Sequence, residues 1–569
     1  MRSLSIKVLW LTVLMISGVS LAMGATITGT VKGPGGAPFE GAFVEARNTS
    51  TNISTDVLSH ANGSYMVPNL PAGNYQLTIR AVGYKAAPQS ETLQSADQHA
   101  KADFALEKGT VSWSDISAYQ GRQLLPNGPG KVLLFGPKGQ PFGAPGPMMT
   151  SQSGGPCLTC HDFQSRMASR RLNYQDWLGM VNYMRFDVVP EFLSPKRFTN
   201  QMADEAATYL STVFGLDSTL PASPADLPGY EATVLKFSNQ AMNIVYVVYP
   251  TPDSTWLDFQ MYPPTAKGYP SDGSIWTADF GNANKVDQIN PKNGEAKEYH
   301  TVTCPGPANI HAIEVGPDGY AWFAESSCNR VGRVDPRTGK VTEFEYKPAN
   351  GRGNPHDSHP MLVGGKLEVF SSGAPTRLDP ATGKFTPIPG VPNAYDVYED
   401  KTNGNLWFTM VGKDGALVEV DPQTLKTVMR FAPTASQDPK NFRSHRIAVD
   451  PNGVVWTTCS LNRVCRFDPK TKAFKLYVPL GPKDDAYATD TYAIALDNAG
   501  DVWYSMSDLD TIQRLNPRTG HMVEYPFPYP EITMRRFWTD PAGRIWTTSP
   551  ANGNVVYWYL ESDHMRAGK

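Results

Sequence analysis

The sequence predicts a mainly β chain: a seven-bladed β-propeller, preceded by an N-terminal β-sandwich and a small α-helical unit. Three observations carry this. A tryptophan-centred unit recurs at Trp276, Trp322, Trp407, Trp456, Trp503 and Trp546, with Val369 in the tryptophan position of a degenerate copy, at spacings of 38–49 residues. Seven copies of that length, each long enough for four short strands, are the pattern of propeller blades; a β-solenoid would have shorter repeats that do not close. The 49 glycines and 48 prolines among 569 residues supply turns for many short strands rather than for a helical bundle. Helical periodicity is confined to a stretch between residues 157 and 216, and period-two alternation marks residues 25–108.

Composition narrows the function classes. Lys+Arg number 51 and Asp+Glu 54, for a net charge of −3, which excludes a basic nucleic-acid-binding face on the scale of the chain. Charged residues at 18% and aromatics at 11% exclude a disordered, solvating chain.

Residues 1–24 have the form of a secretory signal. Arg2 and Lys7 precede an apolar run, Val8–Ile16, and Ala22-Met23-Gly24 offers small residues for cleavage before Ala25. As an uncleaved anchor the run is short for a bilayer core of about 30 Å. The expectation is a periplasmic or secreted protein with no membrane span in the mature chain.

In residues 25–108, Ile27–Val31, Ala42–Ala46, Ser64–Val67 and Tyr75–Ala81 are expected strands of a small antiparallel sandwich. Gly29-Thr30-Val31, Pro38, Gly41-Ala42, Gly63-Ser64-Tyr65, Leu70-Pro71-Ala72-Gly73-Asn74-Tyr75 and Gly83-Tyr84 resemble the carboxypeptidase regulatory-like domain. The segment holds no nucleophile, base or metal cluster, so it is expected to be a structural or docking module. Residues 109–156, rich in Gly, Pro and Ser, are expected to be a linker or wrapping loop.

Residues 157–220 are expected to form a small helical haem domain. Trp177, Val181 and Met184 share one face of a helix over Tyr174–Arg185, and Thr199 is placed to cap a second helix ending near Phe214-Gly215. Ahead of them stands Cys157-Leu158-Thr159-Cys160-His161. Two thiols three residues apart can add to both haem vinyl groups while the adjacent His161 reaches the iron, which predicts one covalent haem c. A local disulfide or half of a zinc site are the alternatives, although no second ligand pair follows before residue 304. Met167, Met180, Met184 and Met202 are all in range to be the sixth ligand. The phrase Trp177-x-x-Met180-Val181-x-x-Met184, with Tyr209-Leu210 in the last helix, resembles small single-haem cytochromes c. That resemblance implies Met184 as the axial ligand, a Met/His pair suited to electron transfer.

Residues 230–562 hold the repeat. In each unit an Asp-x-Gly turn leads into the tryptophan strand, and Asp-Pro-x-Thr-Gly turns, as at Asp335–Gly339 and Asp379–Gly383, separate the third and fourth strands. Positions 11 before and 3 after each tryptophan should be neighbours at the blade end opposite the Asp-x-Gly turn, facing one channel mouth. The earlier column reads Thr265, His311, Ser358, Asp396, His445, Tyr492 and Arg535. The later column reads Asp279, Glu325, Ser372, Met410, Cys459, Met506 and Ser549, and His356, Asp357, His359, Arg443, Arg446 and Arg536 flank these positions. His311, Glu325, His445 and Tyr492 are therefore candidate catalytic residues. His311, His356, His359 and His445, from three blades, are candidate ligands of a divalent or redox metal; strand-end capping is the structural alternative.

The phrases Trp322-Phe323-x-Glu325 and Asn329-x-Val331-Gly332-Arg333-x-Asp335-Pro336 resemble the streptogramin B lyase (virginiamycin B lyase) family, over about 230–560. The resemblance implies C–O elimination by a His/Glu pair with a divalent metal, here His311 and Glu325, with Asn309 where that family has a further acidic residue. The remaining cysteines are expected to pair as Cys304–Cys328 and Cys459–Cys465, with Cys459 as a metal ligand beside His445 the alternative.

A haem needs an electron donor or acceptor. The leading expectation is thus an exported oxidoreductase whose propeller mouth binds a small-molecule substrate, its single haem passing electrons to a soluble or membrane partner. A lyase with an accessory haem unit, and a non-enzymatic electron-transfer or binding module, are the alternatives.

Overall fold

The computed structural model describes residues 24–135, 157, 163–188, 193, 195–196, 198–252, 258–264, 273–281, 283–347, 354–410, 415–434, 437, 442, 444–459, 463–482, 491–530, 533–549 and 552–561. Residues 1–23, Cys160 and His161 lie outside this set, and with them the expected export signal and two of the residues expected to hold haem. No helix among the described residues is long and apolar enough to cross a membrane.

Six antiparallel four-stranded sheets follow one another from residue 258 to residue 526. Their innermost strands are Asp258–Tyr262, Ile310–Val315, Pro355–Val363, Asp396–Glu399, Ser444–Val449 and Ile494–Leu496. Each packs against the next; Trp538–Thr539 follows the sixth, and the strand beside it, Ile545–Ser549, packs back on the first. The sheets thus close a ring of seven blades. Val369 is fully buried in the degenerate third blade, as the tryptophans are in the others. The Asp turns explain part of the repeat: the carboxylates of Asp318, Asp497 and Asp540 accept from the indole N–H of Trp322, Trp503 and Trp546 at 3.2, 2.9 and 2.9 Å. At the second turn type, Gly339 and Gly383 adopt φ of +75° and +70° and donate to Asp335 and Asp379. Only glycine holds that backbone without strain.

Blade seven is closed from far upstream. Its strands Trp538–Thr539, Ile545–Ser549 and Asn554–Leu560 are completed by Ile244–Pro250, paired antiparallel from Ile244↔Leu560 to Pro250↔Asn554. The same strand pairs on its other edge with Ser54–Leu58 of the N-terminal unit, from Val245↔Val57 to Val248↔Ser54. One eight-stranded sheet therefore runs from blade seven into the sandwich. With both edges bonded and both faces covered, this strand reads as a continuous apolar run, Ile-Val-Tyr-Val-Val-Tyr, rather than an alternation.

The sandwich sets that sheet against Ala25–Lys32, Ser64–Leu70 and His99–Lys101, over a core including Ile27, Val44, Val57, Val67 and Leu77. Its expected strands are present with shifted ends, as Ala25–Lys32, Phe43–Asn48, Ser64–Leu70 and Gly73–Arg80.

The helical unit differs from the expected boundaries. Residues 109–156 are not linker throughout: they carry helix α1 (Ala118–Leu124), capped by Ser117 and Gln120, and helix α2 (Pro129–Phe135). Trp113, Ile116, Leu125, Leu134 and Phe135 share one core with Trp177, Leu210 and Phe214. Those residues come from helix α3 (Tyr174–Tyr183), helix α4 (Asn200–Val213) and the residue that follows α4. The unit thus begins near Val111. Glycine made α2 hard to foresee, yet Gly130 is what lets α2 approach α4, since a Cβ there would stand 2.3 Å from Cβ of Tyr209. Thr199 caps α4, its hydroxyl accepting from Met202 N–H at 3.3 Å.

Candidate functional site

The N-terminal ends of the innermost strands share one face of the ring, and the polar residues expected at a channel mouth lie there. Their pairing departs from simple hairpin arithmetic. The register has Ile310 opposite Glu325 and Ser444 opposite Cys459, with irregularities between Ile310 and Ile313, between Pro355 and Ser358, and between Ser444 and Ile447. A β-bulge places two residues against one and re-aims side chains. At these bulges His311, His356-Asp357 and His445-Arg446 turn onto the channel, and His311 parts from Glu325.

His311 of blade two and His356 of blade three lie ring to ring, centroids 3.6 Å apart. His356 Nδ1 is 3.0 Å from Asp357 Oδ2, and His311 Nδ1 is 3.1 Å from the Gln260 side-chain amide and 4.0 Å from Asp357 Oδ1. Asp357 also accepts from Ser372 Oγ at 3.2 Å and from Arg446 at 3.1 and 3.0 Å. Burial opposes its charge, but Arg446, then His356 and Arg536, hold its carboxyl well below the usual range. Burial lowers His311 well below an ordinary histidine, helped by His356, Arg446 and Arg535.

From His356 a row of rings crosses the mouth. Tyr395 lies 4.2 Å from His356 and 5.2 Å from His445, and His445 stacks on Tyr492 at 5.5 Å. The Arg446 and Arg535 guanidiniums stand over Tyr492 at 5.8 and 5.0 Å. The four histidines therefore do not converge. His311 and His356 form one cluster, completed by Asp357, and Tyr395 separates His445 from it. His359 sits deeper between Glu314 (2.8 Å) and Glu399 (3.7 Å). There burial opposes its charge, but Glu314 and Glu399 prevail and raise it to about 8. Arg536 links the layers, 2.5 Å from Asp396 and 3.6 Å from Glu314.

Glu325 has a different setting. Donor atoms of Cys304, Glu325 and Cys328 lie within 4.8 Å of one another, and the two cysteines form a disulfide, as do Cys459 and Cys465. Cys459 is thus a half-cystine rather than a ligand beside His445. Neither carboxyl oxygen of Glu325 has a hydrogen-bond partner among the described residues. Burial, then Glu343, pushes its pKa up to about 8, against a lowering by Arg330. The folded chain holds this proton between about pH 4.5 and pH 8 while the unfolded chain releases it, so stability falls as pH rises through that window. Glu325→Gln is expected to remove this decline and to stabilise the protein at pH 9 by on the order of 2–4 kcal/mol. Urea midpoints at pH 6 and pH 9 check this, and an unchanged pH dependence in the variant refutes it.

The helical unit rests on this same face. The loop Ser507–Asp510 follows the second strand of blade six, at the mouth end. Arg122 of α1 pairs with Asp508 at 3.2 Å, both buried, and Gln164 donates to Asp510 at 2.8 Å. Tyr119 packs with Met506 and Leu509. Cys157 is half-buried against both apolar clusters of the helical unit, as are Leu178 and Val181 of α3, while Met180 and Met202 each border one of them. Met184 is half-buried at the C-terminal end of α3. Cys160, His161, Thr265 and Arg443 lie outside the described residues.

Tyr395 and the central parts of Asp357 and Arg446 were not singled out from sequence. Tyr395 stands immediately before the column member Asp396, and Asp357 and Arg446 stand immediately beside Ser358 and His445. Asp357 and Arg446 flank the columns and Tyr395 adjoins one of their members; the bulges that turn Asp357 and Arg446 inward leave no local signature.

Comparison with solved structures finds virginiamycin B lyase from Staphylococcus aureus (18% identity, 56% of this chain and 99% of that one, TM-score 0.44). It also finds a streptogramin B lyase (18%, 57% and 100%, TM-score 0.45) and the WD40 β-propeller domain of Doa1 (13%, 54% and 98%, TM-score 0.39). No curated protein matches the chain. Residues 26–107 match the family model described as carboxypeptidase regulatory-like domain, and the N-terminal sandwich is such a domain.

Proposed function

We infer that the chain is an exported redox protein. In this reading the helical unit carries one haem c on Cys157, Cys160 and His161, and the propeller mouth binds a small polar substrate beside it. The observation that supports this best is the seat of the helical unit. Gln164, three residues after His161 and so at most about 11 Å further along the chain, is bonded to the mouth-face loop of blade six. The residues fit the group. The donor set is that of covalent haem attachment, and Val181 and Met184 are half-buried on the side of α3 that carries Trp177. Held by these residues, haem c would supply a one-electron centre, and a soluble or membrane carrier would take the electrons onward.

The chain's own residues have definable parts. Arg122 and Gln164 fix the helical unit on blade six. Met184, two helical turns beyond Trp177 on the same face, is the proposed sixth ligand. Arg446, Arg535, Tyr492 and His445 are buried and build the charged and aromatic wall of the mouth. C–O elimination would need His311 and Glu325 on one substrate, and the placement of Glu325 against Cys304 and Cys328 does not favour it.

Expression with export in a host that matures c-type cytochromes tests this. The expected result is haem that survives denaturation, shows a reduced c-type spectrum and is lost in Cys160→Ala. Met184→Ala should lower the reduction potential and abolish the methionine–iron charge-transfer band, with Met180→Ala and Met202→Ala unchanged. Protein that emerges folded and haem-free from that host would refute the reading.

A further inference from the structure

We propose that His311, His356 and Asp357 form a binding site for one late first-row divalent transition cation at the propeller mouth. The site is independent of the haem reading. Donor atoms from the three residues lie within 4.8 Å of one another, with Asp357 fully buried and His311 nearly so. Two of the spacings are 3.0 Å (His356 Nδ1 to Asp357 Oδ2) and 4.0 Å (His311 Nδ1 to Asp357 Oδ1). They bracket the edge of about 3.3 Å that separates donors on a tetrahedral ion with bonds of about 2.0–2.1 Å.

The backbone builds this convergence. In a regular strand His356 and Asp357 would point to opposite faces. The bulge between Pro355 and Ser358 brings both to the channel, and the bulge between Ile310 and Ile313 brings His311 to meet them from the neighbouring blade. The surroundings then hold the donors in place. Ser372 Oγ accepts from the Asp357 backbone N–H at 3.0 Å and donates to its carboxylate, and Arg446 grips both carboxylate oxygens. Outer-shell bonds of this kind fix ligand orientation in metal centres.

The donor chemistry selects the ion. Two imidazoles and one carboxylate suit zinc, copper or iron, whereas magnesium and calcium prefer all-oxygen shells. Arg446 and Arg536 already neutralise part of the carboxylate charge, which further disfavours hard cations held by charge alone. Three protein donors leave a coordination position for water or substrate, the arrangement of a catalytic rather than a structural ion.

The test uses the full-length protein stripped with a chelator, dialysed and titrated with Zn²⁺, with bound zinc counted separately from iron by mass spectrometry. The expected result is one Zn²⁺ per chain, undiminished by millimolar Mg²⁺. His311→Ala and His356→Ala should each weaken it by at least about 10–100-fold, and His359→Gln and His445→Ala should leave it unchanged. His356→Gln, which can still hydrogen-bond Asp357, guards against loss of fold and is expected to bind as poorly as His356→Ala while melting like the parent. No zinc bound by the parent, or zinc retained by all three cluster variants, would overturn the site.

Discussion

Replacing Arg446 with methionine is expected to destabilise the propeller by about 3–5 kcal/mol, the range for breaking a buried ion pair from one side. The guanidinium is 1% exposed and holds three elements together. Its Nη1 reaches both oxygens of Asp357 in blade three, at 3.1 and 3.0 Å, and Asp396 of blade four at 3.3 Å. Its Nε donates to the Arg535 carbonyl, ahead of blade seven, at 2.8 Å. Methionine matches its apolar length, so most of the loss comes from leaving Asp357 buried with its main cation gone. Adding Asp357→Asn to the variant should therefore recover a large part of the loss, although either change alone is harmful. Arg337 provides the contrast: its side chain is 72% exposed, so breaking its pair with Asp335 should leave stability essentially unchanged. Urea unfolding followed by tryptophan fluorescence measures all four variants. A loss below about 1 kcal/mol in Arg446→Met would refute the account of the channel as an interlocked charge network.

This network also marks where sequence reasoning runs out. Repeat length, turn residues and the tryptophan position specify the blades because each is a local demand: a glycine at positive φ, an indole over an aspartate, an apolar strand. Even Val369, which breaks the consensus, keeps its place because burial and not aromaticity is what the position requires. Among the described residues, the column positions and their neighbours are rich in buried polar groups. Hairpin arithmetic fails on which side chains meet, because a bulge inserts one residue and reverses the facing of everything beyond it. The irregularity sets Ile310 rather than His311 opposite Glu325, and another brings His356 and Asp357 together. The short helices α1 and α2 were obscured by Gly and Pro whose role is tertiary, as the contact of Gly130 with Tyr209 shows.

Least visible in the sequence was the strand that joins the two β units, and it carries the second large prediction. Along Ile244–Pro250 successive side chains enter different cores. Val245 lies in the sandwich core, Val247 and Tyr249 in the core of blades one to four and seven, and Ile244, Tyr246 and Val248 in the core beneath blades six and seven. Tyr246 is fully buried, its ring 6.3 Å from Phe43 of the sandwich, 5.2 Å from Phe527 and 6.3 Å from Trp558, and its hydroxyl donates to the Pro526 carbonyl at 2.7 Å. Tyr246→Ala is expected to cost about 3–5 kcal/mol, the range for deleting a large aromatic from a packed core. Tyr246→Phe, which removes only the hydrogen bond and orphans one carbonyl, should cost about 1–2 kcal/mol. Because one strand is hydrogen-bonded to both units, sandwich and propeller should melt in one calorimetric transition in the parent, and Tyr246→Ala should lower both together. If the sandwich instead melts separately, at a temperature unaffected by the substitution, then the shared sheet does not couple them and the two units are only neighbours.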